Sequence, residues 1–593
     1  MKKLIPILLF PFFVFHFSFG QQTIYVAASN NTGIEDGTQE HPFNTIKEGI
    51  NAASPGWQVM IKQGTYIPDD SWSGNPHTLF LKAGVSLMGE GAGQTIIQGI
   101  VVDREDSNLS TGLEKLRFDE FYFIRGAHTG PFTDRNIIRN CSTEYIEIGC
   151  AAGIPPPDSL LGANYGFIIE NNSTGTEGSI EFRHGAGISE IAVTGNSCGY
   201  IQIKSGAGYT YLIDNNEIQY GIFDKSAANK TTISNNRIFN GAIVDQSGGN
   251  YDLTEDEFIE NNTINSDENS PAFIDEDYKA GIIAKSRSVT IRNNTITCTG
   301  NVSGIRTSAG APMHVMNNTI IIDEVQSAAP DPSESTCGIF NYSGWGYVAG
   351  NRITGGNMGY YSKAGTVEFA NNEIEKSYTG FYSKGAEDVH HNIIKDCRGD
   401  GMILDGLAGP VHGNVIKDNA GSGIRVLRNP IDLGGGLDTC PGLNVITGNG
   451  NYDLYVEAIS EQYPLLFARF NVWDHTDPAE IMQFDIRDGS DSTGLVMVDF
   501  TPVGSLGSEA LILPDIGLFP NPTHGSFKVQ CLKSGVEFQS CKVTDLLGQV
   551  VKSDNPEPGT RQIELNISHL PAGIYFLRTR IENQTIVKRI IKI

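Results

Sequence analysis

Short apolar runs separated by Gly and Asn dominate the chain. Two or three runs of Ile, Val, Phe and Tyr, each four to six residues long, are followed by a polar turn, and the phrase then returns. The clearest copies are Ile213-Asp214-Asn215-Asn216-Glu217-Ile218, Ile233-Ser234-Asn235-Asn236-Arg237-Ile238 and Ile259-Glu260-Asn261-Asn262-Thr263-Ile264. It continues at Asn293-Asn294, Asn317-Asn318, Gly350-Asn351, Asn371-Asn372, His391-Asn392 and Gly413-Asn414. From Asn216 to Asn414 the second Asn recurs every 20 to 33 residues. A period with a floor near 20 and insertions above it is that of stacked coils. No segment sustains a 3.6-residue apolar period, and the runs are β-branched and aromatic, so the coils are built of strands.

Asn at a fixed place in every coil has a physical task. A tight turn needs a residue that tolerates the left-handed region, and Asn does. Coils stack about 4.8 Å apart, so equivalent amides can hydrogen-bond up the stack as a ladder. The Asn-x-Ser/Thr matches at Asn262 and Asn294 then follow from the ladder rather than from glycosylation.

Strand alternation sorts the residues that follow the Gly opening the repeated strand. The next residue (Ile222, Ala242, Ile282, Ile305, Ile339, Tyr360, Phe381, Met402, Ile424) forms an inward column. The one after it points outward and includes Phe340, Tyr361 and Tyr382. Two further on stand Lys225, Asp245, Lys285, Tyr342, Lys363 and Lys384. Aromatic rings stack on sugar faces and Lys pairs with sugar carboxylates or sulfates, so this face is a candidate binding wall for a linear acidic polysaccharide. Ordinary cross-strand packing of the same rings is the competing expectation.

Composition narrows the setting. Residues 1–20 read as a secretory signal, with Lys2 and Lys3, an apolar stretch from Leu4 to Phe15 and a small-residue cleavage site at Ser18-Phe19-Gly20. No other run is long enough to span a bilayer. The chain without this leader has 40 basic and 68 acidic residues, a formal charge of −28, which argues against nucleic acid or anionic membranes as partners. Nine Cys are scattered without zinc spacing. Cys141 with Cys150 and Cys531 with Cys541 are candidate disulfides in an oxidising compartment, with burial of single thiols the expectation for most of them.

Three stretches carry resemblances. The opening, Tyr25-Val26, Asp36-Gly37-Thr38, His41-Pro42-Phe43-Asn44-Thr45-Ile46 and Gly64-Thr65-Tyr66, resembles that of secreted right-handed parallel β-helix proteins of the pectate-lyase-like superfamily. There a short helix, here Ile46 to Ala53, caps the first coil. Asn471-Val472-Trp473, Asp477-Pro478-Ala479-Glu480-Ile481 and Val498-Asp499-Phe500-Thr501-Pro502 resemble the closing segment of such proteins. The tail, with Leu518-Phe519-Pro520-Asn521-Pro522, Val543-Thr544-Asp545-Leu546-Leu547-Gly548-Gln549 and Leu570-Pro571-Ala572-Gly573-Ile574-Tyr575, resembles the type A sorting domain of the type IX secretion system. That resemblance implies a small β-sandwich read by the export machinery, and a product released from or displayed on a Gram-negative cell.

The expected organisation is therefore all-β: a leader over 1–20, a right-handed parallel β-helix over 21–505, a linker over 506–514 and a β-sandwich over 515–593, as a monomer. Arg183-His184-Gly185 and Lys204-Ser205 resemble motifs of polysaccharide lyase family 6. The resemblance implies Lys204 as base, Arg183 and His184 assisting, and calcium neutralising a uronate carboxylate, with Glu181 as a candidate ligand. The family places Lys-Ser before Arg-His-Gly, and here the order is reversed. Asp224, Asp245 and Asp405 are not expected to share one column on adjacent coils, so hydrolysis ranks below elimination. Asp275-Glu276-Asp277 and Asp488 to Asp491 are further acidic clusters without a calcium-loop pattern. The rival to a carbohydrate-active protein is a non-catalytic adhesin or matrix component that uses the solenoid as wall or spacer.

Overall fold

The computed structural model describes residues 22–592 outside 126–134, 150–164, 184–187, 205–209, 226–229, 247–256, 274–278, 308–311, 324–335, 458–464, 506–515, 532–537, 545–549 and scattered gaps of one to three residues. The leader, His184, Cys150 and Asp275 to Asp277 thus lie outside the described residues. The chain divides into two compact units, residues 1–504 and 505–593.

The first unit is a parallel β-helix. Sixteen strands, each parallel to its neighbours, stack into one sheet that starts with Thr23–Val26, Gln58–Ile61 and Ser86–Gly89 and ends at Val411–His412. The remaining strands of each coil merge into a second, continuous parallel sheet. One inward column can be followed from Phe121 through Ile146, Ile180, Ile201, Ile222, Ile243, Ile282, Ile305, Ile339, Tyr360, Phe381 and Met402 to Ile424. All are essentially inaccessible. Gly opens many of these strands because space is lacking there. A Cβ on Gly304 would lie 2.4 Å from Ile320 Cγ2, and one on Gly359 2.3 Å from Ile374 Cγ2.

One coil departs from the sequence alignment by a residue. Ile218 is followed by Gly221 in the paired strand, whereas the equivalent Ile238 is followed by Ala242, one residue further on. Ile243, not Ala242, therefore fills the inward column. The slip also aligns Asp245 with Asp224 on adjacent coils, contrary to expectation. Both carboxylates face inward, are at most 3 % exposed, and cannot reach a polymer outside.

The recurring Asn pair divides its labour. The first residue takes the left-handed conformation: Asn215, Asn235, Asn261, Asn293, Asn317 and Asn371 have φ of 55° to 57°, and Gly195, Gly350, Gly413 and His391 occupy the same place in other coils. The second residue points inward and forms the ladder. From Asn172 to Asn471 each side-chain Nδ2 donates to Oδ1 of the next Asn at 2.9–3.0 Å, and each backbone N–H donates to that same oxygen. Asn262 and Asn294 are 1 % exposed, which removes them as glycan acceptors.

Both ends of the stack are covered. The helix Ile46–Ala52 is held by a capping box between Thr45 and Glu48 and buries Ile46 and Ile50 on the first coil. At the other end Asp477 caps Pro478–Glu480, and Ile481, Val498 and Phe500 join the core.

The second unit has a three-stranded and a four-stranded antiparallel sheet around Phe527, Val529, Phe538, Val543, Leu565 and Leu577. Cys141 and Cys541 are buried free thiols. The expected pairings are not made: Cys541 faces its own core with Sγ 3.2 Å from Thr579 Oγ1.

Candidate functional site

Strand register brings the outward residues of successive coils into line. Tyr122, Glu147, Glu181, Gln202 and Phe223 occupy one column. Beside it run Arg183, Lys204 and Lys225, each one residue past paired inward positions. A hairpin, Asp70–Trp72 with Asn75–Phe80, leans Trp72 over the first of these rows. Together they bound an open cleft of about 930 Å³, lined by Trp72, Ile100, Glu120, Tyr122, Glu144, Tyr145, Glu147, Thr174 to Gly178 and Arg183.

One wall is aromatic. Trp72 and Tyr122 rings lie 5.2 Å apart and Tyr122 and Tyr145 rings 5.9 Å, forming a run of three half-buried rings along the stack. The phenols are tied down: Tyr122 OH donates to Glu120 Oε2 at 2.5 Å and Tyr145 OH to Glu147 Oε2 at 2.8 Å. Burial, reinforced by these carboxylates, raises both phenol pKa values, so the rings stay neutral donors.

The other wall is an ion network centred on Glu181, whose side chain is 8 % exposed. Its Oε2 accepts from Arg183 Nε at 2.8 Å and Lys204 Nζ at 2.7 Å. Arg183 Nη1 also lies 3.5 Å from Glu147 Oε2. Burial alone would raise the Glu181 pKa, but donation from Lys204 and Arg183 outweighs it and holds the carboxyl below its usual range. The expected meeting of Arg183 and Lys204 on one outward face is seen. Their shared acceptor, Glu181, has its charge offset by two cations and makes a poor calcium ligand. The Lys204 ammonium is spent as a donor, whereas a base must present a lone pair.

The other predicted positions fall elsewhere. Lys225 is exposed, one coil beyond Lys204. Phe340, Tyr361 and Tyr382 are 0 %, 1 % and 9 % exposed and pack with Cys337, Met358 and Ile403 into a second core. Arg306 covers Phe340 at 3.8 Å, and Tyr382 OH donates to Asp405 at 2.7 Å. These rings cannot offer a face to a sugar. Tyr342 is 40 % exposed but lies under Lys363, 4.2 Å from its ring, and Lys384 faces Asp405 at 3.8 Å. In the last coils Asp488 accepts N–H groups from Ser490 and Val498, a turn arrangement. Asp453, Asp474 and Asp485 come together there, each accepting protein donors: Asn449 on Asp453, Gly448 on Asp474 and His475 on Asp485.

Sequence reasoning missed Trp72, Tyr122, Tyr145 and Glu147. The available signal was the step of 34 residues from Glu147 to Glu181, which only strand register shows to be a single coil.

Comparison with known families assigns the two units. A model described as a secretion system C-terminal sorting domain matches residues 517–593. A model described as a protein of unknown function (DUF1565) matches residues 28–118 and 259–480, together just over half of the 593 residues. No curated protein matches the chain. Most of the cleft, from Glu120 to Lys204, falls in the stretch between the two matched blocks.

Proposed function

For a chain that belongs to the DUF1565 family, folds as a parallel β-helix and carries a tail that directs it through type IX secretion to the cell surface or beyond, we propose a role as a surface glycan-binding protein that seats a polysaccharide along the Trp72–Tyr122–Tyr145 wall. The observation that carries this reading is the row of three rings beside hydrogen-bonding carboxylates. Apolar ring faces with neighbouring polar acceptors suit the two faces of a sugar.

The charge of the cleft selects the polymer. Glu120, Glu144, Glu147, Glu177 and Glu181 stand against Arg183 and Lys204, and both cations are already paired. A uronate chain would meet net negative charge, so the reading shifts from an acidic to a neutral polysaccharide. One observation favours the second reading, elimination on a uronate: Arg183 and Lys204 do converge within reach of one sugar ring.

The test is binding of the mature protein to a panel of neutral and uronate polysaccharides, with absorbance of unsaturated products followed in parallel. Neutral polymers should bind, and Tyr122→Ala and Tyr145→Ala should each weaken binding about tenfold, the worth of roughly 1.4 kcal/mol of ring contact. Binding that ignores both substitutions would sink the proposal. Unsaturated product from a uronate polymer, lost in Lys204→Ala, would give the site to the lyase reading instead.

A further inference from the structure

On the sixteen-stranded sheet, far along the stack from the cleft, three histidines gather on adjacent coils. His390 pairs in register with His412, and their rings stack 5.1 Å apart at 11°. His391 would ordinarily point away, since neighbouring strand residues face opposite sides. It occupies the left-handed turn position instead, with φ 57°, and its ring turns back toward the other two. His390 Nδ1 and His391 Nδ1 lie 2.9 Å apart. Gly413, the equivalent turn residue of the next coil, makes room: a Cβ there would already touch the His391 ring at 3.4 Å.

The opposite edges of the rings face carboxylates. His390 Nε2 lies 3.5 Å from Glu368 Oε1, and His412 Nε2 3.5 Å from Asp388 Oδ1. Glu368 and Asp388 are themselves register partners, so the carboxylate–imidazole arrangement repeats on two coils. A carboxylate on one ring nitrogen fixes the tautomer and leaves the other nitrogen as a lone-pair donor. Two imidazole nitrogens about 2.1 Å from one metal ion stand roughly 3.0–3.4 Å apart in tetrahedral or octahedral geometry. The His390–His391 approach is close to that span. Burial, and then the charge of His390, lowers the His412 pKa, which favours the neutral, ligating imidazole.

We propose that His390 and His391, with His412 completing the set, form a surface site for a divalent transition-metal ion of the zinc, nickel or copper class. The donors are imidazole nitrogens, which suit these ions and discriminate against calcium and magnesium. Glu368 and Asp388 orient the rings from behind. The site is independent of the cleft and of its glycan reading.

Substitutions that preserve the fold are supplied by the repeat itself. Other coils carry Asn at the place of His391 (Asn371, Asn317) and Ala at the place of His390 (Ala370, Ala349). Untagged mature protein is titrated with Zn²⁺ and Cu²⁺ by calorimetry, and the Cu²⁺ form is examined by electron paramagnetic resonance for nitrogen ligands. One tight ion per chain is expected, with nitrogen hyperfine structure. His391→Asn and His390→Ala should each reduce affinity at least tenfold, while His77→Ala and His314→Ala leave it unchanged. An unaltered isotherm in His391→Asn, or absence of Zn²⁺ and Cu²⁺ binding by the wild-type chain, would overturn the site and reduce the 2.9 Å approach to a ring–ring hydrogen bond.

Discussion

Each ladder asparagine accepts two hydrogen bonds on one oxygen and donates through its amide to the coils on either side. Asn294 takes the Asn262 backbone N–H at 2.9 Å and the Asn262 amide at 3.0 Å, and donates to Asn318 Oδ1 and Ile259 O. Removing this side chain strands several buried polar groups, each costing about 1–3 kcal/mol. Asn293, one residue earlier, is exposed and holds φ 57°. Gly reaches that conformation without the roughly 1–2 kcal/mol steric cost other residues meet. Asn294→Ala should therefore lower the stability of the β-helix by roughly 2–4 kcal/mol, while Asn293→Gly changes it by less than about 1 kcal/mol. Denaturant unfolding monitored by circular dichroism distinguishes them, and equal effects would contradict the division of labour between the two positions.

At the scale of one strand row, facing outward and being exposed are separate properties. The outward column Arg306, Phe340, Tyr361, Tyr382 follows the alternation the repeat predicts. Its aromatic members are nonetheless buried, because they lean on one another (Phe340–Tyr361 5.0 Å, Tyr361–Tyr382 5.5 Å) and Arg306 closes one end. Tyr361→Ala should then act on stability, with a loss of about 3–5 kcal/mol typical of a large buried ring, and leave polysaccharide binding by the folded protein unchanged. A thermal melt and a binding isotherm on the same sample separate the outcomes. Lost binding with an unshifted melting temperature would restore the aromatic column as a contact surface.

For the whole molecule, the sorting module and the β-helix each have their own core, Phe527 and its neighbours in one and the long inner columns in the other. Export is assigned to the module matched over residues 517–593. A chain ending at Gly504 should keep its closing cap, since Asp477, Ile481, Val498 and Phe500 all precede that point, and should fold. It should accumulate in the periplasm instead of reaching the surface. Fractionation with protease shaving of intact cells checks this, and surface display of the truncated chain would refute the assignment.

Much was legible in the residues alone because a stacked coil makes sequence period and spatial neighbourhood nearly the same thing. The Asn phrase located the turns and the ladder, Thr45 and Glu48 marked the capping helix, and Pro, Gly and alternating apolar residues marked off the C-terminal sandwich. The meeting of Arg183 with Lys204 followed from a spacing of 21 residues, one minimal coil. Coil length, however, varies through insertions, and one extra residue before Ala242 was enough to turn Ile243 inward and to bring Asp245 beside Asp224. Tertiary structure alone decided what covers an outward ring, which acceptor Arg183 and Lys204 share, and how Trp72 from a hairpin joins Tyr122 and Tyr145 from later coils. It also decided that a left-handed turn would set His391 beside His390. The physical reason is common to these cases: alternation along a strand assigns a side, whereas exposure, pairing and ligand geometry depend on neighbours contributed by other coils.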